Sequence, residues 1–216
     1  MAYETFRDKD SSYYNFDKKA IYEVIPEGPH KVLDIGCATG KLGLALKAQG
    51  KASEVFGIEL FKPAADEACK HYEKVYIGDV ETMDLCFNAH FDYVLCGDVL
   101  EHLRDPWAIV ARIRAWLRVG GYLVISIPNI RYWSVLKDLA AFGRWTYEEA
   151  GILDRSHLRF FTKRSVTEMI LGAGFKLCTS RMIIWGWKKQ LAKRITLGLF
   201  DEFLGAQILT IARREA

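Results

Sequence analysis

Seven short apolar runs of strand length alternate with helix-like stretches along the chain, and this alternation limits the possible folds more than any other feature. The runs are Lys31–Ile35, Glu54–Ile58, Lys74–Ile77, Phe91–Cys96, Gly121–Ile127, Phe175–Ile184 and Gln207–Ala212. Helical patterns lie near Lys41–Gln49, Pro63–His71, Pro106–Leu117 and Arg164–Gly172. Strands joined through helices pair in parallel, so the pattern predicts an α/β fold with a mostly parallel sheet covered by helices on both faces. Asp105-Pro106 is a helix start, an N-cap followed by proline in the first turn.

The 216 residues are 50% hydrophobic and 26% charged, enough apolar material for one sizeable core and too much for a disordered chain. We expect one domain over 1–216, with an N-terminal cap at about 1–30. Two additions interrupt the regular scaffold, an aromatic-rich segment at 128–162 and an amphipathic one at 188–205. Specificity is commonly built on such additions. The five cysteines are scattered, with no C-x-x-C pair, which argues against a disulfide framework or a zinc ribbon and fits a reducing compartment. The polar start MAYETFRDKDSSYYNF and the lack of a long apolar run make the cytoplasm the expected location. A net charge of +3 does not suggest a nucleic-acid binder, although Arg181–Ala216 holds seven Lys and Arg against three Asp and Glu.

Within KVLDIGCATGKLG, Lys31–Gly43, the first strand turns into its helix, the place where parallel sheets bind nucleotides. Gly36 and Gly40, with Ala38 between them, let the backbone pass close to a ligand. A dinucleotide site wants G-x-G-x-x-G, which Ala38, Gly40 and Gly43 match only in degraded form. Taken instead as D-x-G-x-A-x-G, the unit includes Asp34, whose carboxylate repels a pyrophosphate and suits a cationic ligand. Further on, Glu59 in VFGIEL is placed to hold two ribose hydroxyls, and Asp79 in IGDV to accept from an adenine amino group. Gly97-Asp98, in FDYVLCGDVLEHL, ends the fourth strand and opens a wall toward a reaction centre.

Taken in order, these motifs resemble those of the class I S-adenosylmethionine-dependent methyltransferases over Lys31–Asn129. LRVGGYLVISIPN is similar to that family's glycine-turn hairpin into its fifth strand. The resemblance implies S-adenosyl-L-methionine as cofactor, S-adenosyl-L-homocysteine as product, and a Rossmann-like seven-stranded sheet. Its strand order would be 3-2-1-4-5-7-6, with the last strand antiparallel. It further implies that Asp34 and the turn of Gly36, Cys37, Ala38 and Gly40 face the methionine moiety. Glu59 and Leu60 would meet the ribose, Asp79 and Val80 the adenine, and Gly97 and Asp98 the reacting end. The family's middle glycine is Ala38 here, which costs ~1 kcal/mol if that position needs a positive φ.

Methyl transfer to a hydroxyl or phenol needs a general base, and histidine is the usual one. His30, His71 and His90 lie in loop or helix-end contexts and read as surface residues. His102, in DVLEHLRDP, follows the fourth strand, and His157 lies in GILDRSHLRFFT, so these two are the catalytic candidates. Phe142–Thr162 resembles bacterial methyltransferases associated with glycan and cell-envelope biosynthesis, which implies a small-molecule, sugar or lipid-linked glycan acceptor. Trp145, Asp154 and Arg159 would grip it, joined by Tyr13 or Tyr14 from the N-terminal segment. The alternative is a latch in which Arg159 pairs with Asp154, His157 bonds a carbonyl and Phe160 and Phe161 dock the loop. Asp98, Glu101 and His102 share one helical face and with His157 resemble an E-x-x-E-H metal arrangement, so a divalent metal is possible though not favoured.

Trp187, Leu191, Ile195 and Leu199 fall at helical spacing among basic residues. Such a stretch, about 185–200, can lie on an anionic membrane, but it more commonly packs on the domain's own core. The leading function is O-methyl transfer; the alternatives are a non-catalytic cofactor-binding module and an NAD-dependent oxidoreductase. No nucleic-acid partner is expected, and the oligomeric state stays open.

Overall fold

A computed structural model of the chain describes residues 18–216, apart from the side chains of 188 and 192. Seven strands form one sheet: β1 Lys31–Ile35, β2 Glu54–Glu59, β3 Lys74–Ile77, β4 Phe91–Gly97, β5 Leu117–Pro128, β6 Phe175–Ile183 and β7 Gln207–Arg214. Their order is β3-β2-β1-β4-β5-β7-β6. β1 to β5 pair in parallel, and β7 runs antiparallel to both β5 and β6. Both the order and the reversed last strand match the expectation.

The central strands read as continuous apolar runs because both faces are covered. Leu33 and Ile35 of β1 enter one core cluster with Val94, Leu123 and Ile125. Val32 enters the other with Leu95, Val124 and Leu209. Helices α1 (Lys19–Val24) and α2 (Lys41–Ala48) cover the second cluster through Ile21, Leu42 and Leu46. Helices α4 (Pro106–Trp116) and α6 (Lys163–Gly172) cover the first through Ile109, Ile113, Val166 and Ile170. The remaining crossover of the parallel half is α3 (Lys62–Ala68).

Local chemistry sets the boundaries. Asp105 caps α4 by accepting the Ala108 N–H at 3.0 Å, and Thr162 and Ser165 form a reciprocal capping box on α6. Leu117, expected as the end of α4, instead begins β5 beside Phe91. The ladder then shifts register around Gly120, at φ +83°, and pairing resumes at Tyr93 and Tyr122. Helix α5 (Trp133–Phe142) was not foreseen within 128–162; among its residues only Val135 is buried. His30 is half-buried with its ring against Tyr93, centroids 4.9 Å apart, rather than on the surface.

The amphipathic stretch near the C-terminus is helical but turned over. In α7 (Trp187–Ile195) the apolar residues Trp187, Leu191 and Ile195 are 73%, 49% and 73% exposed. Its polar side faces the protein instead. Lys189 bonds the Tyr132 hydroxyl, Gln190 donates to the Ile184 carbonyl at 2.5 Å, and Lys193 pairs at 3.1 Å with Asp201 of the short helix α8 (Asp201–Leu204). The expectation of a helix packed on the core by its apolar face is therefore corrected: polar contacts hold α7 in place.

Candidate active site

The carboxyl ends of the parallel strands open into a cavity of about 330 Å³, within the range of small-molecule sites. Gly36, Glu59, Gly97 and Pro128 each end or directly follow a strand, Asp79 stands two residues beyond β3, and all five line it. Gly36 is obligatory in its place. It sits at φ +66°, and a Cβ there would stand 2.5 Å from Val99 Cγ2. Ala38 does adopt a positive φ, +49°, so the strain foreseen for a non-glycine residue is present.

One half of the cavity is held by backbone groups. Glu59 is buried, its Oε2 accepts the Ala38 N–H at 2.8 Å, and its Oε1 accepts the Phe61 N–H at 2.9 Å. Burial raises this carboxyl above its ordinary range, with the two amides working against the shift. Each carboxylate oxygen has a second lone pair, so the group can still receive two hydroxyls. Asp79 takes the Glu81 N–H at 2.8 Å and stays half-buried on the wall with Leu60 and Val80.

Three residues expected at the ligand stand behind this wall: Asp34, Cys37 and Gly40 are buried and do not line the cavity. Asp34 Oδ2 accepts the Tyr72 hydroxyl at 2.8 Å, and that hydroxyl receives the Gly43 N–H at 3.0 Å. Asp34 thus braces the turn from below. It also faces Lys18, whose Nζ lies 3.8 Å from Asp34 Oδ1, donates to the Gly36 carbonyl at 3.0 Å and reaches the cavity. Burial opposes the charge on Lys18, but Asp34 and Asp98 outweigh it and raise its pKa. Lys18 thus brings a cation to the cavity beside Asp34 and Asp98, which the motif reading missed; its one signal was a lysine pair placed a helix ahead of β1.

The other half is built from side chains. Asp98, at φ +55°, is held by the Gln207 amide, which also donates to Ser126 Oγ at 2.9 Å. Burial pushes the Asp98 carboxyl up to about 6 against the pull of Lys18. A single turn, Leu100–His102, follows. His102 Nδ1 lies 3.2 Å from the Ser156 carbonyl, and His157 Nδ1 lies 3.0 Å from the Ile152 carbonyl. These acceptors assign the proton of each neutral ring to Nδ1, which makes Nε2 the basic nitrogen. The two rings meet edge to face with centroids 4.8 Å apart.

His157 Nε2 is 4.0 Å from Glu101 Oε1. Glu101 is buried, and neither carboxylate oxygen has a hydrogen-bond partner among the described residues. Burial, with the charge of Asp98 behind it, holds this carboxyl well above its ordinary range. Ligand atoms of Glu101, His102 and His157 lie within 4.8 Å of one another, an oxygen–nitrogen set able to take a divalent cation. The Glu101 carbonyl receives the Leu158 and Arg159 N–H groups at 2.8 and 3.0 Å, tying the His157 loop to the end of β4.

Of the expected acceptor residues, Asp154 lines the cavity but spends its Oδ1 on Ser156, at 2.8 Å to N and 2.6 Å to Oγ. Arg159, expected to grip the acceptor, does not line the cavity and donates to the Arg104 carbonyl, so the Arg159–Asp154 pair of the latch alternative is also replaced by separate partners. Trp145 packs on Phe160 at 5.2 Å outside the cavity. Phe161 docks into the core as the latch reading required. Tyr13 and Tyr14 lie outside the described residues. Gln207 and Trp185 complete the wall and were missed, although a polar residue opening an apolar strand, as Gln207 does, is a readable sign.

A family model described as a methyltransferase domain matches residues 9–180. The chain belongs to the class I S-adenosylmethionine-dependent methyltransferases. A ubiquinone biosynthesis O-methyltransferase of Psychrobacter arcticus is 33% identical to this methyltransferase over 156 residues, 67% of the chain and 58% of that protein. One from Actinobacillus pleuropneumoniae is 34% identical over 109 residues, 46% of each. The methyltransferase thus spans about half the length of the curated relatives it matches. Among solved structures, an S-adenosylmethionine-dependent methyltransferase from Mesorhizobium loti superposes with a TM-score of 0.65 at 18% identity, covering 91% of this chain and 96% of that one. The [4+2]-cyclase SpnF gives 0.62 at 14% identity, covering 91% and 81%, so this fold also serves other chemistry and the reaction must be argued from the site.

S-adenosylmethionine is the cofactor of this methyltransferase. Among the lining residues, Glu59 and Asp79 offer acceptors, the Gly36–Ala38 turn offers close backbone approach and Lys18 a cation, the groups that would hold its hydroxyls, amine and carboxylate.

Proposed function

We propose that the methyltransferase carries a methyl group from S-adenosylmethionine to a hydroxyl oxygen of a small-molecule acceptor. The observation that carries this reading is the His102–His157 pair on the cavity wall, each ring fixed by a backbone carbonyl so that Nε2 is basic. When bound, the cofactor supplies an activated methyl group with its leaving group already in place. Lys18, Glu59 and Asp79 orient it, and alignment of this kind is worth about 7–11 kcal/mol. Leu60, Phe61 and Leu103 keep water from the cofactor end. At the other end His157 Nε2 takes the hydroxyl proton, with His102 packed against its ring. Relatives named O-methyltransferases support oxygen as the nucleophile. Sugars and lipid-linked glycans fall within this acceptor class, and they would meet the cavity at Asp154, His157 and Leu158.

Glu101 favours a second reading. A buried carboxyl with two unbonded oxygens beside two imidazoles ionises readily only when a cation joins it. Glu101, His102 and His157 would hold a divalent ion, which would supply positive charge beside the acceptor oxygen.

Both readings are tested by supplying methyl-labelled cofactor with a panel of phenols, sugars and amines, with magnesium or manganese and with chelator. Label in an ether that survives chelator supports the imidazole base. Label lost on chelation favours the metal, and label found only on nitrogen refutes oxygen transfer.

A further inference from the structure

We infer that Asp154 is a positioning residue that fixes the orientation and the proton site of both cavity imidazoles, His102 and His157, through the turn it opens. Asp154 is only 1% exposed. Burying a carboxylate is costly unless hydrogen bonds offset it, and here Oδ1 accepts the Ser156 N–H at 2.8 Å and the Ser156 hydroxyl at 2.6 Å. The Asp154 carbonyl accepts the His157 N–H at 3.0 Å. That bond closes a four-residue turn with aspartate at its first position, where aspartate is favoured because its side chain bonds the backbone two residues on.

Both rings depend on this turn. The peptide joining Ser156 to His157 gives its N–H to the Asp154 carbonyl, and its C=O lies 3.2 Å from His102 Nδ1. His157 leaves the turn with its own Nδ1 3.0 Å from the carbonyl of Ile152, just ahead of Asp154. A carbonyl only accepts, so each neutral ring donates from Nδ1 and presents Nε2. One buried carboxylate thus organises two imidazoles that come from separate segments of the chain. The arrangement serves an imidazole base and a pair of metal ligands alike, since both roles use Nε2. Any effect of Asp154 on turnover rests on the methyl-transfer reading; the proton sites do not.

The test is two-bond proton–nitrogen correlation spectroscopy of the full chain labelled with nitrogen-15 in its histidines, with chelator present and at a pH where the rings are neutral. Wild type should show His102 and His157 protonated at Nδ1. Asp154→Ala should shift His102, and with it His157, toward protonation at Nε2. Asp154→Asn keeps an acceptor oxygen for Ser156 and should keep both rings as in wild type. Titration of each variant with S-adenosylhomocysteine should match wild type, which establishes that it is folded. Where an acceptor is turned over, Asp154→Ala should lower kcat about tenfold at an unchanged cofactor KM, with Asp154→Asn restoring most of the loss. Unmoved proton sites in folded Asp154→Ala overturn the inference; should that variant not fold, unmoved sites in Ser156→Ala, which loses the 2.6 Å bond, do so instead. Wild-type His102 protonated at Nε2 overturns it outright. Failure of methyl transfer alone leaves each of these spectra intact.

Discussion

The two halves of the cavity are made from different parts of the chain and by different means. The cofactor half lies at the ends of β1 to β4, where backbone amides grip Glu59 and a glycine is needed because Val99 leaves no room for a Cβ. The proposed acceptor half is assembled from His102, the 151–158 loop, Trp185 and Gln207; His102 is held by the Ser156 carbonyl and Gln207 by Ser126, both far away in sequence, while His157 is held by the Ile152 carbonyl of its own loop. Backbone-defined sites demand particular residue types at particular spacings. Side-chain-defined sites can be reached from many sequences, and this is how one fold serves many acceptors.

If the halves are separate in function, the largest effect belongs to His157→Ala. It should lower kcat by about 10²-fold or more while leaving the S-adenosylhomocysteine Kd unchanged. Near-normal turnover would remove His157 as base or ligand. Glu59→Ala should do the converse, weakening cofactor binding by about tenfold to a hundredfold in calorimetry, with turnover recovered at saturating cofactor. Unchanged affinity would erase the distinction between the halves.

Two smaller effects sharpen it. Glu101 has a raised carboxyl pKa because it is buried near Asp98. As pH rises from the ordinary carboxylate range, the unfolded chain releases this proton while the folded chain keeps it, so stability falls until the folded group also ionises. Glu101→Gln removes that term, so the variant's Tm should gain on wild type as pH is raised toward neutrality. A constant difference across pH would mean that Glu101 is ionised in the fold. In the cofactor half, Ala38→Gly relieves a positive φ and should add ~1 kcal/mol in denaturant unfolding. No gain would show that the turn accommodates alanine without strain.

The fold was legible because its central strands are buried on both faces and so appear as unbroken apolar runs, with glycine and acid residues at their ends. Glu59 and Asp79 were legible for the same reason: Glu59 closes β2, and Asp79 stands in the turn just after β3. Asp34 was recognised, but its role was not. Sequence spacing does not show that Tyr72, thirty-eight positions later, bonds it from below, or that Lys18 stands between it and the cavity. Gln207 joins Asp98 across 109 positions, a contact set by the β5–β7 pairing rather than by any local pattern. The orientation of α7 was the clearest miss. An amphipathic period locates a stripe, but whether it turns inward depends on Tyr132, Ile184 and Asp201, which bond its polar side.

The most direct measurement is a calorimetric titration of the chain with S-adenosylhomocysteine, with NAD as the control. Saturable binding of S-adenosylhomocysteine and no heat from NAD is the predicted result, since Glu59, Asp79 and Lys18 offer an adenosyl amino acid its partners and Asp34 backs the turn with negative charge. Saturable binding of NAD with none of S-adenosylhomocysteine would contradict it and give the cavity to a dinucleotide.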